Sequence, residues 1–452
     1  MTALTTQYAT DKAAKAILIL SMSYLLLGLL LGITGSLQYL YPEFLKEDLS
    51  FQKTRPLHVY LAITWIFTAA QGGLYYYIPR VAGRPCVWKQ GVVIHFFMQL
   101  TLSVCIVICF FSGYFGGREY LEFPPLFGLL ILISWLPLVI NFFFTIRPKF
   151  GKAPVYIWSW STGILFFFIT LSESYLWLID YFSSNIVRDI TVQWKALGSM
   201  VGSWNMLVYG TAMYVMEKIS GDTKIAQSKE AFFFYFLGLT NLMFNWGHHT
   251  YIVPAAPWVK MVAYIISMTE LIIFGHIIWK WRKSVSAAVK NFQLASYRFL
   301  SFADGWIFLN ITLALIMSVP AWNFYTHGTH ITVAHAMGTT IGINTMLLLA
   351  SIYLIAKTEI PLQFQKHKKK ILAVSIIANI SLLLFWISLI ASGLVKISGN
   401  LKNLPFAQIM LNTKIWFQIF AASGFLLAMA LMFLLFAGIS CFSNRRNQLE
   451  RN

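Results

Sequence analysis

Apolar residues run through this chain in long blocks, interrupted at fairly regular intervals by charged or turn-forming breaks. Reading the blocks between breaks predicts twelve helices, near 14–40, 56–79, 91–113, 125–145, 156–178, 191–216, 230–252, 257–279, 297–319, 329–356, 370–394 and 413–441. Each is close to the roughly 20 residues that cross a bilayer. The expected fold class is therefore an all-α integral membrane protein with twelve transmembrane helices in one domain, 1–452. The first block is too long for the apolar part of a signal peptide and has no small-residue cleavage site, so it is read as a span.

Composition agrees with the pattern. Hydrophobic residues make up 58% of the chain and charged ones only 11%, a balance foreign to soluble domains. The formal net charge of +18 would suggest nucleic acid in a soluble protein, but here sidedness explains it. Basic residues gather in the even-numbered loops, as in Arg147, Lys149 and Lys152, then Lys280, Arg282 and Lys283, then Lys366, Lys368, Lys369 and Lys370. Positive loops stay in the cytoplasm, so both termini are expected there, and part of the charge serves attraction to anionic membrane lipid. The four cysteines, Cys86, Cys105, Cys109 and Cys441, show no metal or disulfide spacing.

Polar residues inside the spans carry the chemistry. His95 and His276 lack obvious partners and read as structural hydrogen-bonding groups, and His367 sits in a basic loop. His58, His248, His249 and His335 differ. With the expected orientation, and a rise of about 1.5 Å per residue, all four fall in one shallow layer on the outer side. Ionisable residues within a membrane mark function by default. His335 and Met337 are two residues apart, so they point about 200° away from each other on one helix. Each suits the axial position of haem iron, though packing alone also explains a methionine. His248 and His249 are neighbours that converge on one metal only if the helix end is distorted, and Gly247 beside them permits close approach. Imidazole suits copper, iron or zinc.

The stretches RPLHVY, GGLYYYIP, GREYLEFP, GHHTYIV, MTELIIF and FYTHGTHITVAHAMG together resemble the haem–copper oxidase superfamily. The nearer resemblance is to the large subunit of bacterial cytochrome c-dependent nitric oxide reductase, and it extends over nearly the whole chain. It implies that His58 ligates a low-spin haem b and that His335 is the proximal ligand of a high-spin haem b3. His248 and His249 would hold a non-haem iron or copper facing that haem, and Glu270 would be the catalytic acid nearby. Glu119 and Glu122 would be outer acids, the first at a calcium ion with Gly72 and Tyr75 in the matching stretch. Arg55 is a candidate for a haem propionate, from charge and depth.

This sequence departs from the family at two places. Met337 stands where the family has a second histidine, so the low-spin haem would be His58/Met337, with a raised potential. The sixth span, VQWKALGSMVGSWNML, has no His and no Glu. Leu197 or Gly198 replaces the third metal histidine, Val201 or Gly202 replaces the glutamate, and Asn205 replaces a further acid. Met200, Glu173 or Glu270 remain as candidate replacement ligands. The resemblance thus implies a respiratory oxidoreductase in the bacterial inner membrane that reduces NO to N2O. No C-x-x-C-H motif occurs, so electrons are expected from a membrane-anchored cytochrome c partner. The rival readings are a haem protein of the same fold that binds a gas or passes electrons without turnover, an oxygen-reducing terminal oxidase, and a transporter without haem.

Overall fold

The computed structural model describes residues 6–285, 290, 294–359 and 361–443. They form a helical bundle with no strand among the described residues, only an isolated bridge between Arg118 and Leu121. The long helices are α1 Asp11–Gln38, α2 Phe51–Ala82, α3 Lys89–Phe111, α4 Pro125–Ile146, α5 Val155–Glu173, α6 Ile186–Ser220, α7 Lys229–Phe244, α8 Pro257–Ser284 and α9 Leu294–Ser318. They continue with α10 His330–Glu359, α11 Pro361–Leu401 and α12 Phe406–Ser443. Among the described residues nine are long and apolar enough to cross a membrane. The other three, α6 to α8, occupy the expected sixth to eighth spans. Polar residues in the first half of α6 (Asp189, Gln193, Lys195) lower its hydropathy, α7 has only 16 residues, and the apolar stretch of α8 is Pro257–Met268.

Local chemistry sets the helix ends. Asn185 caps α6 by accepting from the backbone N–H groups of Val187 and Arg188, and Ser228 caps α7 through the N–H of Ala231. Both are residue types that satisfy orphan amides at a helix start. Gly83, with φ +65°, closes α2 in the left-handed region, where a side chain would be strained.

α1 packs along α2, α5 along α6, and α11 along α12. The deepest core is aromatic, with Trp65, Tyr75, Tyr76, Tyr77, Trp160 and Tyr353 fully buried. At the end of α2 away from His58, charge replaces oil. Arg80, fully buried, holds Asp11 through two bonds of 2.8 and 2.9 Å and also donates to the carbonyl oxygens of Tyr76 and Thr6. Lys15 pairs with Glu359 at 2.7 Å, and the Tyr76 hydroxyl donates to the same carboxylate. This network ties together the ends of α1, α2 and α10. Those are the helices that carry His58, His335 and Met337 and the glycines packed against them.

Candidate haem and metal site

His58 lies near the start of α2, two residues after Pro56. Its Nδ1 donates to the Gly28 carbonyl oxygen of α1 at 2.7 Å. A Cβ on Gly32 would stand 3.0 Å from the imidazole Cε1, so glycine there lets the ring lie against α1. With Nδ1 protonated, the neutral ring keeps its lone pair on Nε2. A backbone carbonyl behind a ligating histidine fixes tautomer and orientation in this way.

α10 begins at His330, capped by Thr329, and winds as ordinary α-helix through Met337. Gly338–Thr345 then forms a π-helix before α-helix resumes at Met346. π-segments concentrate at functional sites. His335 Nδ1 is sealed from solvent with no hydrogen-bond partner among the described residues. Met337 is half-buried and packs on the core cluster.

α7 ends at Phe244, and Asn245–Thr250 follows as a 3-10 turn, the distorted helix end that a convergent His248–His249 pair requires. A Cβ on Gly247 would meet Ala263 Cβ of α8 at 2.9 Å, so the turn lies tight on α8. The two imidazoles are 4.3 Å apart between centroids. His248 Nδ1 lies 3.1 Å from Asn245 Oδ1, which also accepts from Ser267 at 2.6 Å. With the amide oxygen as shared acceptor, His248 too keeps its lone pair on Nε2. His249 stacks on Trp194 of α6 at 4.5 Å and 9°. His335 and His327 lie within electrostatic reach of both. His327 sits between α10 and a short helix, Pro320–Thr326; burial lowers its affinity for a proton and Glu119 opposes that.

The histidine donors fit iron porphyrin. His58 is braced with Nε2 free, and His335 comes from a second helix with its far nitrogen buried. The second metal fits poorly. Among the described residues no three His, Cys, Asp or Glu side chains are placed to hold an ion. The reason lies in α6. A Cβ on Gly198 would meet Trp246 Cβ at 2.6 Å, and one on Gly202 would meet Leu242 Cβ at 2.7 Å. Close helix contact therefore fills the space that ligands at those two positions would need, while Leu197 is buried in the core. Met200 lines a cavity with Phe67, Trp135 and Phe167, on the side of α6 facing α2, α4 and α5. Glu173 forms an ion pair with Lys195. The Glu270 side chain lies outside the described residues.

The outer acids form a cluster of their own. Arg55 pairs with Glu119 at 2.5 Å and with Glu122 at 3.5 Å. The Glu122 backbone carbonyl accepts from Gly116 and Gly117, and burial raises its carboxyl above the ordinary range, with Arg55 pulling it down. The expectation of Gly72 and Tyr75 beside Glu119 at a calcium ion is corrected here. Seventeen residues of α2 separate Gly72 from Arg55, roughly 25 Å of rise. Gly72 lies against Leu18 of α1, and the Tyr75 hydroxyl bonds His95 Nδ1 at 2.8 Å. These residues do not form a calcium site with Glu119.

The profile of the family described as Cytochrome C and Quinol oxidase polypeptide I matches residues 12–426. The chain belongs to this family. Within it, the chain is 24% identical over 360 residues to a curated subunit of the nitric oxide reductase of Stutzerimonas stutzeri, covering 74% of this chain and 72% of that protein. It is 22% identical over 372 residues to CcoN1, a Cbb3-type cytochrome c oxidase subunit of the same organism, covering 78% and 76%. A solved haem-copper terminal oxidase dimer superposes with a TM-score of 0.74 at 12% identity, covering 97% of this chain and 85% of that one. Membership in the haem–copper oxidase family was legible from the histidine motifs. Trp194, Asn245, His327 and Asn310 were not singled out, although His327 lies inside the quoted FYTHGTHITVAHAMG.

Proposed function

We propose that this chain is the haem-carrying membrane subunit of a bacterial inner-membrane respiratory complex that reduces nitric oxide, 2 NO + 2 H⁺ + 2 e⁻ giving N2O + H2O. In this reading His58 and Met337 hold a low-spin haem b. His335 holds a high-spin haem b3. When bound, that second group supplies an open iron coordination position for NO and the electrons that reduce it. Electrons come from a membrane-anchored cytochrome c partner.

The observation that supports the reading is the paired imidazoles of His248 and His249, 4.3 Å apart in the turn after α7, with His335 of α10 within electrostatic reach of both. His248, with Asn245 behind it, presents an unprotonated Nε2 that accepts a proton or orients a small polar molecule. Trp194 of α6 covers one face of the His249 ring. Glu270, on α8, is the proposed proton donor.

A second reading is a gas-binding or electron-transfer haem protein without turnover. It is favoured by the lack of a third metal donor among the described residues. Three measurements on purified protein separate the readings. A dithionite-reduced spectrum with two b-type signals supports haem binding, and its absence overturns both. Metal analysis gives iron beyond haem, or none. N2O formation from NO with an artificial electron donor decides turnover.

A further inference from the structure

Asn310 sits in the middle of α9, only 1% exposed, at the contact with α10. Its amide presses on Gly338, where a Cβ would meet Asn310 Cγ at 2.6 Å and Cβ at 3.1 Å. Only glycine admits the amide there. Asn310 Nδ2 donates to Thr339 Oγ1 at 2.8 Å, and Thr339 Oγ1 donates to the His335 carbonyl oxygen at 3.1 Å. One amide thus grips the turn of α10 directly after His335.

The bonding is incomplete on both sides of this contact. Asn310 Oδ1 and His335 Nδ1 are both sealed and have no partner among the described residues, and the Asn310 backbone lies close enough to the imidazole to interact with it. An unmet buried polar atom costs about 1–3 kcal/mol, so such an arrangement persists only where something else fixes it. A histidine that ligates a metal through one nitrogen almost always donates its other N–H to a carbonyl, carboxylate or water. That donation makes the imidazole a stronger electron donor to the metal.

We propose that Asn310 is the positioning residue of the proximal histidine. Its backbone carbonyl receives the His335 Nδ1 proton when iron holds Nε2, and its side chain, seated on Gly338 and bonded to Thr339, sets how close that carbonyl comes. The proposal rests on haem ligation by His335. It adds that the electron richness of that haem is governed from α9, through an amide that touches neither the porphyrin nor the gas.

The test is resonance Raman spectroscopy of the dithionite-reduced protein, read at the iron–histidine stretch of the five-coordinate haem, with a redox titration beside it. Thr339→Val keeps side-chain shape and removes the hydroxyl. Asn310→Leu removes the amide. Both are expected to lower the stretching frequency and raise the midpoint potential of that haem, leaving the low-spin haem unmoved, while Thr339→Ser keeps the unaltered values. A stretch that stays in place in haem-loaded Thr339→Val overturns the proposal, even if Asn310→Leu fails to assemble. Absence of haem from the unaltered protein overturns haem ligation itself, a different failure read in the first spectrum.

Discussion

His58 Nδ1 donates to the Gly28 carbonyl on the neighbouring helix at 2.7 Å, and this one bond decides which imidazole nitrogen faces the bundle. The same ring lies on Gly32, where a methyl group would stand 3.0 Å from Cε1 and 3.2 Å from Nδ1, so the ring would have to give way by a few tenths of an ångström. Gly32→Ala is expected to push the ring off its carbonyl, at an overpacking cost of about 1–3 kcal/mol. The measurement is the low-spin haem band together with its midpoint potential. A spectrum and potential identical to the parent would show that the ring does not ligate from this pose.

Met337 is open to a sharper substitution. Met337→His exchanges thioether for imidazole at an axial position, and His/Met ligation gives a higher potential than bis-histidine ligation. The low-spin haem should be retained and its potential should fall in a spectroelectrochemical titration. An unmoved potential removes Met337 from the ligand set and returns it to packing.

The α6–α7 contact predicts two opposite outcomes. Gly198→Ala forces a methyl group onto Trp246, two residues before His248, and should lower the thermal midpoint in detergent, with a cost of about 1–3 kcal/mol. Leu197→His combined with Val201→Glu introduces the donor types that the resemblance implies for this helix. It is expected to raise bound non-haem metal, measured by elemental analysis, and N2O output with it. Unchanged metal content would mean that the close packing of α6, not the missing side chains, keeps the ion out.

Glu122 gives a pH signature. Burial holds its carboxyl above the ordinary 4.5, against the pull of Arg55. A carboxyl that binds its proton more tightly when folded favours the fold at low pH. That contribution is complete below the unfolded value of 4.5 and fades as pH rises through the folded one. Glu122→Gln should therefore raise the thermal midpoint near neutral pH and make no difference well below 4.5. A lower midpoint near neutrality would show that attraction to Arg55 outweighs burial.

Arg80 anchors the opposite end. Arg80→Leu leaves Asp11, itself buried, without its bidentate partner, and breaking a buried pair from one side costs about 3–5 kcal/mol. Arg80→Lys should recover only part of this, because an ammonium cannot reproduce the two-pronged geometry. The check is a detergent melting curve with haem absorbance followed in parallel; full recovery with lysine would mean that charge alone suffices.

Hydropathy alone located the helices, because oil-filled blocks of membrane length have few other meanings. The family was legible because His58, His248, His249 and His335 stand in short motifs, RPLHVY, GHHTYIV and FYTHGTHITVAHAMG, that resemble it together. Pairings across the bundle were less legible. Gly72 and Tyr75 lie in a matching stretch, yet that stretch runs down α2 away from Glu119, and only depth along the helix reveals it. The loss of ligands on α6 was plain in the letters, whereas its physical counterpart was not: two glycines four residues apart, with Trp246 and Leu242 occupying the room. Asn310 could not be assigned from the sequence, since an asparagine within an apolar run declares a partner without naming it.

The π-segment Gly338–Thr345 bears on how this chain is lined up with its relatives. A wide turn absorbs a surplus residue as a bulge, so one residue gained or lost there changes the count between the ends of α10 without redirecting either end. Residues before it are best registered on His335, and residues after it on Tyr353 and Glu359. Against a relative without such a surplus residue, a gapless alignment across the bulge would slip one half of the helix by a single step, about 100° of rotation.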